Sequence, residues 1–435
     1  MDLTYHKRTL ENGLDVIVHE DRDLPIVAVN LWYHVGSKNE RPGRTGFAHL
    51  FEHLMFEGSA HHDSGYFGPL QRAGASLNGS TNSDRTNYWE VVPTEALDLA
   101  LWMESDRMGW LLPALTQAKL DNQRDVVLNE RRQSYENRPY GLVPMAIAAA
   151  MYPETHPYRW PTIGLADDIR AATLDDVGTF FSTYYHPGNA SIVLAGDVEA
   201  DEAVALVSRY FGEIPAGPPV LPVEVPLAVL DADRRWVLED RVEFPRLYLS
   251  WHSPALFEAG DAELDLVADV LAGGKTSRLY RRLVSDERLA LDVVAHQNSR
   301  QLGGSFHVAA TAAPGHTLAE LDRAITEELG RLAGEGPTDG EFVRAHTKVE
   351  AQFVYRLQTI GGFSGKSDQL NAYNVYLGDP GGFARDLARY RAATPALLRT
   401  STTEWLSLAH RVALSAVPRG RTDLALADSS PAVAS

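Results

Sequence analysis

Between Glu213 and Asp231 the chain reads "EIPAGPPVLPVEVPLAVLD", five prolines in a stretch without helical period. Proline lacks a backbone N–H and has a fixed φ, so such a run cannot lie inside a helix or in the centre of a sheet. It reads as an extended linker, residues 214–231, close to the middle of the 435 residues. A chain interrupted there is expected to fold as two halves, 1–213 and 232–420. The remaining tail, 421–435, is rich in small residues and has no period, so it is expected to be disordered.

The halves repeat one pattern. The first runs "DLPIVAVNLWYHVGS" into "TGFAHLFEHLMFEGS"; the second runs "EFPRLYLSWHSPALFEAG" into "DAELDLVADVLAGGKTS". Each is an alternating strand, a turn and an amphipathic helix ending at glycine. Near their ends, "AATLDDVGTFFSTYYHPGNASIVLAGD" and "AATPALLRTSTTEWLSLAHRVALSAVP" both place a Thr-started helix before an apolar strand. The repeat predicts a duplicated α+β unit of roughly 210 residues, with helices packed on a mostly antiparallel sheet.

Against that symmetry one feature occurs once. Aligning Gly58 with Gly274 sets His49, Glu52 and His53 opposite Asp265, Ala268 and Asp269, while apolar positions match apolar positions. The second helix therefore packs without two imidazoles and a carboxylate, and packing does not explain the triplet. Residues four apart share a helix face, about 6 Å apart along the axis, so His49 and His53 can reach one metal ion. A catalytic zinc site takes three protein ligands and leaves a position open. Glu52, on the same broad face, is placed to act as a general base toward water.

A third ligand is sought in "QAKLDNQRDVVLNERRQSYENRPYG". Glu130 follows Val127 by three and Val126 by four residues, which puts it on the apolar side of a helix, where a carboxylate needs a partner. Asp121 and Asp125 fall off that stripe, and Glu136 lies beside the Arg138-Pro139 helix stop. Glu130 is the expected third ligand.

Composition narrows the function. With 58 acidic against 40 basic side chains the net charge is −18, which opposes nucleic-acid binding. No apolar run approaches the roughly 18–20 residues needed to span a bilayer. The N-terminus starts directly into strand-like alternation, so the expected location is cytoplasmic, or periplasmic if a signal was removed. The absence of cysteine leaves imidazoles and carboxylates as the strong metal ligands.

His-Leu-Phe-Glu-His, with 76 residues between His53 and Glu130, is the inverted zincin signature. Together with "GASLNGSTNSDRTNYWEVVP", "NERRQSYENRPYG", "HPYRWPTIG" and "YYHPGNASIVLAGD", it makes the chain similar to the pitrilysin/insulinase family, near the β-subunits of mitochondrial processing peptidases and their bacterial relatives. The resemblance implies two tandem homologous α/β-roll halves and a zinc endopeptidase acting on extended polypeptide. It implies Zn²⁺ ligation by His49, His53 and Glu130, and the base role for Glu52. Asn78 and Gly79 resemble the edge strand onto which such enzymes dock substrate by β-augmentation. At Gln123 many relatives carry a second glutamate; glutamine can hydrogen-bond on that face but cannot shuttle a proton.

Active relatives also bring an Arg and a Tyr from a C-terminal half to the metal. The corresponding strand, "GSFHVAATAAPG", has neither, and no Tyr occurs between Tyr280 and Tyr355. The expected partner is a homologous zinc-less subunit in a heterodimer, with a homodimer as the alternative. The rival function is a non-catalytic core subunit of the same fold. Two further motifs, "GGKTS" and "GGFSGKSD", lack the earlier glycine of a phosphate-binding loop and read as helix ends and loops.

Overall fold

The computed structural model describes residues 3–433. Twelve strands form two six-stranded sheets: β1 (His6–Thr9), β2 (Asp15–Glu20), β3 (Ile26–Tyr33), β4 (Ser76–Thr81), β5 (Thr86–Pro93) and β6 (Ala190–Gly196) in the first, β7 (Arg234–Asp240), β8 (Arg246–Ser253), β9 (Ala290–Asn298), β10 (Gly304–Ala312), β11 (Val412–Pro418) and β12 (Ser430–Pro431) in the second. The orders are β1-β2-β6-β3-β5-β4 and β12-β7-β11-β8-β10-β9, so the duplication is reproduced over five strands of each sheet, β2 to β6 and β7 to β11. In each sheet one inner pair, β2/β6 or β7/β11, is parallel, and the four strands from β6 to β4 or from β11 to β9 are antiparallel. The outermost pairs differ: β1 runs antiparallel to β2, whereas β12 runs parallel to β7.

Five helices matter for the argument: α1 (Phe47–Leu54), α2 (Gln117–Arg131), α3 (Val143–Met151), α4 (Asp261–Ala272) and α5 (Lys366–Leu377). α1 and α4 are the repeat-related pair. α1 buries Phe47, Ala48, Leu50, Phe51 and Leu54, the stripe expected of it, but ends at Leu54, before Gly58.

The compact units are not the contiguous stretches 1–213 and 232–420. One gathers the chain through Arg131, 161–223 and 353–386; the other gathers 132–160, 224–352 and the chain from Leu387. In the first, α5 lies on β3 and β6, where the Asn371 amide donates to the Asn30 carbonyl (2.8 Å) and accepts from the Ser191 hydroxyl (2.6 Å). In the second, Val143, Ala146, Ile147 and Ala150 of α3 join one apolar core with Leu238, Val412, Leu414 and Ala416. The reason is the composition of α3, "VPMAIAAAM": a helix this apolar must be covered, but burial does not dictate by which sheet.

Of the tail expected to be disordered, residues 421–433 are placed, while 434 and 435 lie outside the described residues. Leu426 is buried, its N–H donates to the Ser415 hydroxyl (3.1 Å), and Ser430–Pro431 pair with Trp236 and Val237. Strand pairing along β7 satisfies backbone groups that composition alone leaves unassigned. Among the described residues no helix is long and apolar enough to cross a membrane.

Candidate metal centre

The site lies wholly within the first unit. α1 starts at Gly46, whose φ of +85° belongs to the left-handed region. A Cβ there would collide with Ile169 Cδ1 and lie 2.8 Å from Gly164 Cα, so glycine is required on both grounds. Gly46 has no side chain with which to cap the helix. Glu40 does this instead, its two oxygens accepting the N–H groups of Gly46 (2.8 Å) and Ala48 (2.9 Å). Burial pushes the Glu40 carboxyl up to about 8, against the opposing pull of these N–H groups.

One turn along, the rings of His49 and His53 lie 4.8 Å apart, centroid to centroid. Both present Nε2 to the same Glu130 oxygen, at 3.7 Å from His49 and 3.3 Å from His53. One ligand atom from each of the three residues lies within 4.8 Å of the others, and among the described residues no other cluster of three or more His, Cys, Asp or Glu meets this test. Tetrahedral zinc with bonds of about 2.0–2.1 Å separates its ligand atoms by about 3.4 Å, so the donor set fits such an ion. Burial holds the His49 imidazole down to about 4, in the neutral form that ligates. The hydrogen bond with His53 holds the Glu130 carboxyl below its ordinary value.

Glu130 reaches the histidines because of how α2 is held. Gln123, Val127 and Glu130, spaced four and three apart, form the face turned toward α1; Val126, expected on that face, is exposed. The buried Gln123 amide donates to the Glu57 carboxylate just beyond α1, and Arg131 donates to the Gly164 carbonyl (2.7 Å). Glu130 itself is 40% exposed, less deeply buried than an apolar-face position suggests.

Glu52 lies on α1 between the two histidines, and burial raises its carboxyl while a hydrogen bond from Thr81 opposes the rise. Thr81 ends β4, the outermost strand of its sheet, so Asn78 and Gly79 lie on a free sheet edge. Gly79 pairs with Tyr88 and faces Phe56; Asn78 pairs with Trp89 and faces the opposite side. Glu40, Glu57 and Thr81 were not singled out by sequence reasoning. Glu40 lies six residues before Gly46, outside the three-residue window of a capping box, and carries no recognisable signal.

Residues 15–159 match the model described as insulinase (peptidase family M16), and residues 171–349 match that described as peptidase M16 inactive domain. The chain belongs to the M16 insulinase family. It is 30% identical to the zinc protease PqqE of Helicobacter pylori over 364 residues, covering 82% of this chain and 81% of that protein. An uncharacterized zinc protease of Streptomyces coelicolor is 25% identical over 401 residues, 90% of this chain and 85% of its own. Among solved structures, a protease from Helicobacter pylori superimposes with a TM-score of 0.88 at 27% identity, covering 96% of this chain and all of that one. A Pseudomonas fluorescens structure described as a peptidase M16 inactive domain, at 19% identity and a TM-score of 0.85, covers 99% of this chain and all of its own and shares the fold. The first M16 match spans all four residues of the signature, His49, Glu52, His53 and Glu130.

Proposed function

We propose that this M16 chain is a zinc-dependent endopeptidase that cleaves extended polypeptide laid along β4. The observation that carries the reading is the convergence of His49 Nε2, His53 Nε2 and a Glu130 oxygen beside Glu52, at the end of a free sheet edge. The names of relatives as zinc proteases support it. When bound, a zinc ion supplies a Lewis acid toward the scissile carbonyl and toward water. His49, His53 and Glu130 would hold the ion beside Glu52. Glu52 takes the proton of the attacking water and returns it to the leaving amide nitrogen. The backbone groups of Asn78 and its neighbours pair with the substrate main chain and set its register.

The test is Glu52→Gln, which keeps the shape of the side chain but removes its basicity. Peptide cleavage should fall at least about a hundredfold with metal content unchanged. Near-parental turnover would remove Glu52 from the mechanism.

We also propose that a homologous zinc-less subunit completes the active enzyme, because β10 carries neither Arg nor Tyr. Activity should then be low for the chain alone and rise on co-expression with the neighbouring homologue; full activity alone, unchanged by the homologue, would refute this. The second reading, a non-catalytic core subunit, draws on the match of 171–349 to a model described as an inactive domain. It predicts no cleavage in either preparation.

A further inference from the structure

Strand β4 has two faces, and only one belongs to the chemistry described above. Successive residues of a strand point to opposite sides of the sheet. Gly79 and Thr81 share the side of α1, with Glu52 hydrogen-bonded at Thr81. Ser76, Asn78 and Ser80 take the other side, in register with Val91, Trp89 and Asn87 of β5. On that side the first unit contains a cavity of about 590 Å³, inside the range of small-ligand pockets.

Its wall is apolar where it meets the sheet, with Ile26, Trp89 and Val91, and is completed by Ile360 from the segment that precedes α5. That segment is pressed onto the sheet: a Cβ at Gly361 would collide with Val91 Cγ2 and lie 2.8 Å from Ala28 Cβ. Phe363 of the same segment stands edge-on to Trp89, with centroids 5.5 Å apart. Ser76 lines the cavity on the side of the free edge, and Leu24, 62% exposed, stands at its rim. The cationic group in the wall is neutralised, since Lys366 donates to Asp21 at 2.5 Å. Asp23, exposed at the rim, adds negative charge.

We propose that this cavity is a subsite for one apolar side chain, aromatic or branched, of the peptide bound along β4. This rests on the edge-strand reading given above. A peptide strand added to β4 continues its two-residue alternation, so every second side chain falls on the cavity side. Ser76 is five residues from Thr81, about 16 Å at the rise of a β-strand. The side chain in the cavity therefore belongs to a residue about five positions from the bond cleaved beside Glu52. The apolar wall favours Phe or Leu there, and Asp23 disfavours an acidic residue. The site thus selects the class of substrate at a distance from the metal.

The experiment uses the full chain with Glu52→Gln, so that peptides bind without turnover, and fluorescent twelve-residue peptides of Ala and Ser. A single Phe, Gly or Asp is moved through the positions, and Kd is read by anisotropy. One position should favour Phe over Gly by about tenfold, the effect of burying an aromatic side chain, and should reject Asp. Adding Trp89→Ala or Leu24→Asp should reduce that preference to less than about threefold. Leu24 is exposed, so the second variant holds the test if the first fails to fold. Equal preference at all positions, persistence of the preference in both variants, or absence of peptide binding would overturn the proposal. Cleavage of the same peptides by the parental chain co-expressed with its homologue separates the readings. Positional preference without cleavage removes the peptidase and leaves the subsite; cleavage without positional preference does the reverse.

Discussion

Glu40 Oε1 accepts the N–H of Ala48 at 2.9 Å, one residue before the first histidine of the site. A carboxylate from a preceding loop thus fixes the start of the helix on which His49, Glu52 and His53 ride. The bond matters because the first N–H groups of any helix have no partner within it.

Glu40→Ala should remove two acceptors at once from a buried helix start. A loss of about 2–4 kcal/mol in unfolding free energy is expected, because two buried helix N–H groups lose their acceptors. Glu40→Gln, which keeps one acceptor oxygen, should lose less. Denaturant unfolding with metal analysis of the folded protein checks this; parental stability of Glu40→Ala would show that the cap contributes nothing.

His49→Ala and Glu130→Ala each reduce three ligands to two. Zinc content by elemental analysis should fall well below one per chain after dialysis, and the metal-dependent rise in melting temperature should shrink. Full occupancy in both variants would mean that the ion is held elsewhere.

Gln123→Glu replaces a buried donor with a second carboxylate facing Glu57. The bond that ties α2 to the end of α1 becomes a like-charge contact, and a loss of about 1–3 kcal/mol follows. Gln123→Met, similar in length but without charge, should cost less. Equal stability of the two would argue that the Glu57 contact is not under electrostatic control.

The second sheet carries an acid-sensitive group of histidines. His252 of β8 and His307 of β10 lie on one face, and the ring of His296 of β9 stands 5.1 Å from that of His307. Burial lowers His307 to about 3 and His252 to about 4, with neighbouring imidazoles and Arg300 adding to the depression. Their folded values lie below the unfolded value near 6.5, so the unfolded chain binds more protons and stability falls as pH drops. The loss begins near pH 6.5 and continues to about pH 4 for His252 and about pH 3 for His307. Moving a group's titration by one pH unit between the unfolded and folded chain changes stability by about 1.4 kcal/mol, so a total of a few kcal/mol is expected. Denaturant unfolding at pH 7.5 and pH 5 reads the effect, and His307→Gln should flatten it; an unchanged slope in that variant would exclude His307.

Local periodicity determined part of this protein. The four-residue spacing of His49 and His53, the proline-rich break and the strand-turn-helix and helix-strand units of each half follow from chain-local rules, because helix and strand periods are set by the backbone. The same spacing marked Glu52 for its place beside the pair. Other features are decided by contacts that no local period encodes. Glu130 becomes a neighbour of His53 only because Gln123 and Val127 lock α2 against α1, and Glu40 caps a helix from outside the usual window. The exchange of α3 and α5 belongs here too. Hydrophobicity requires that such helices be covered but carries no direction, so which sheet covers each is settled by the packing of the whole chain.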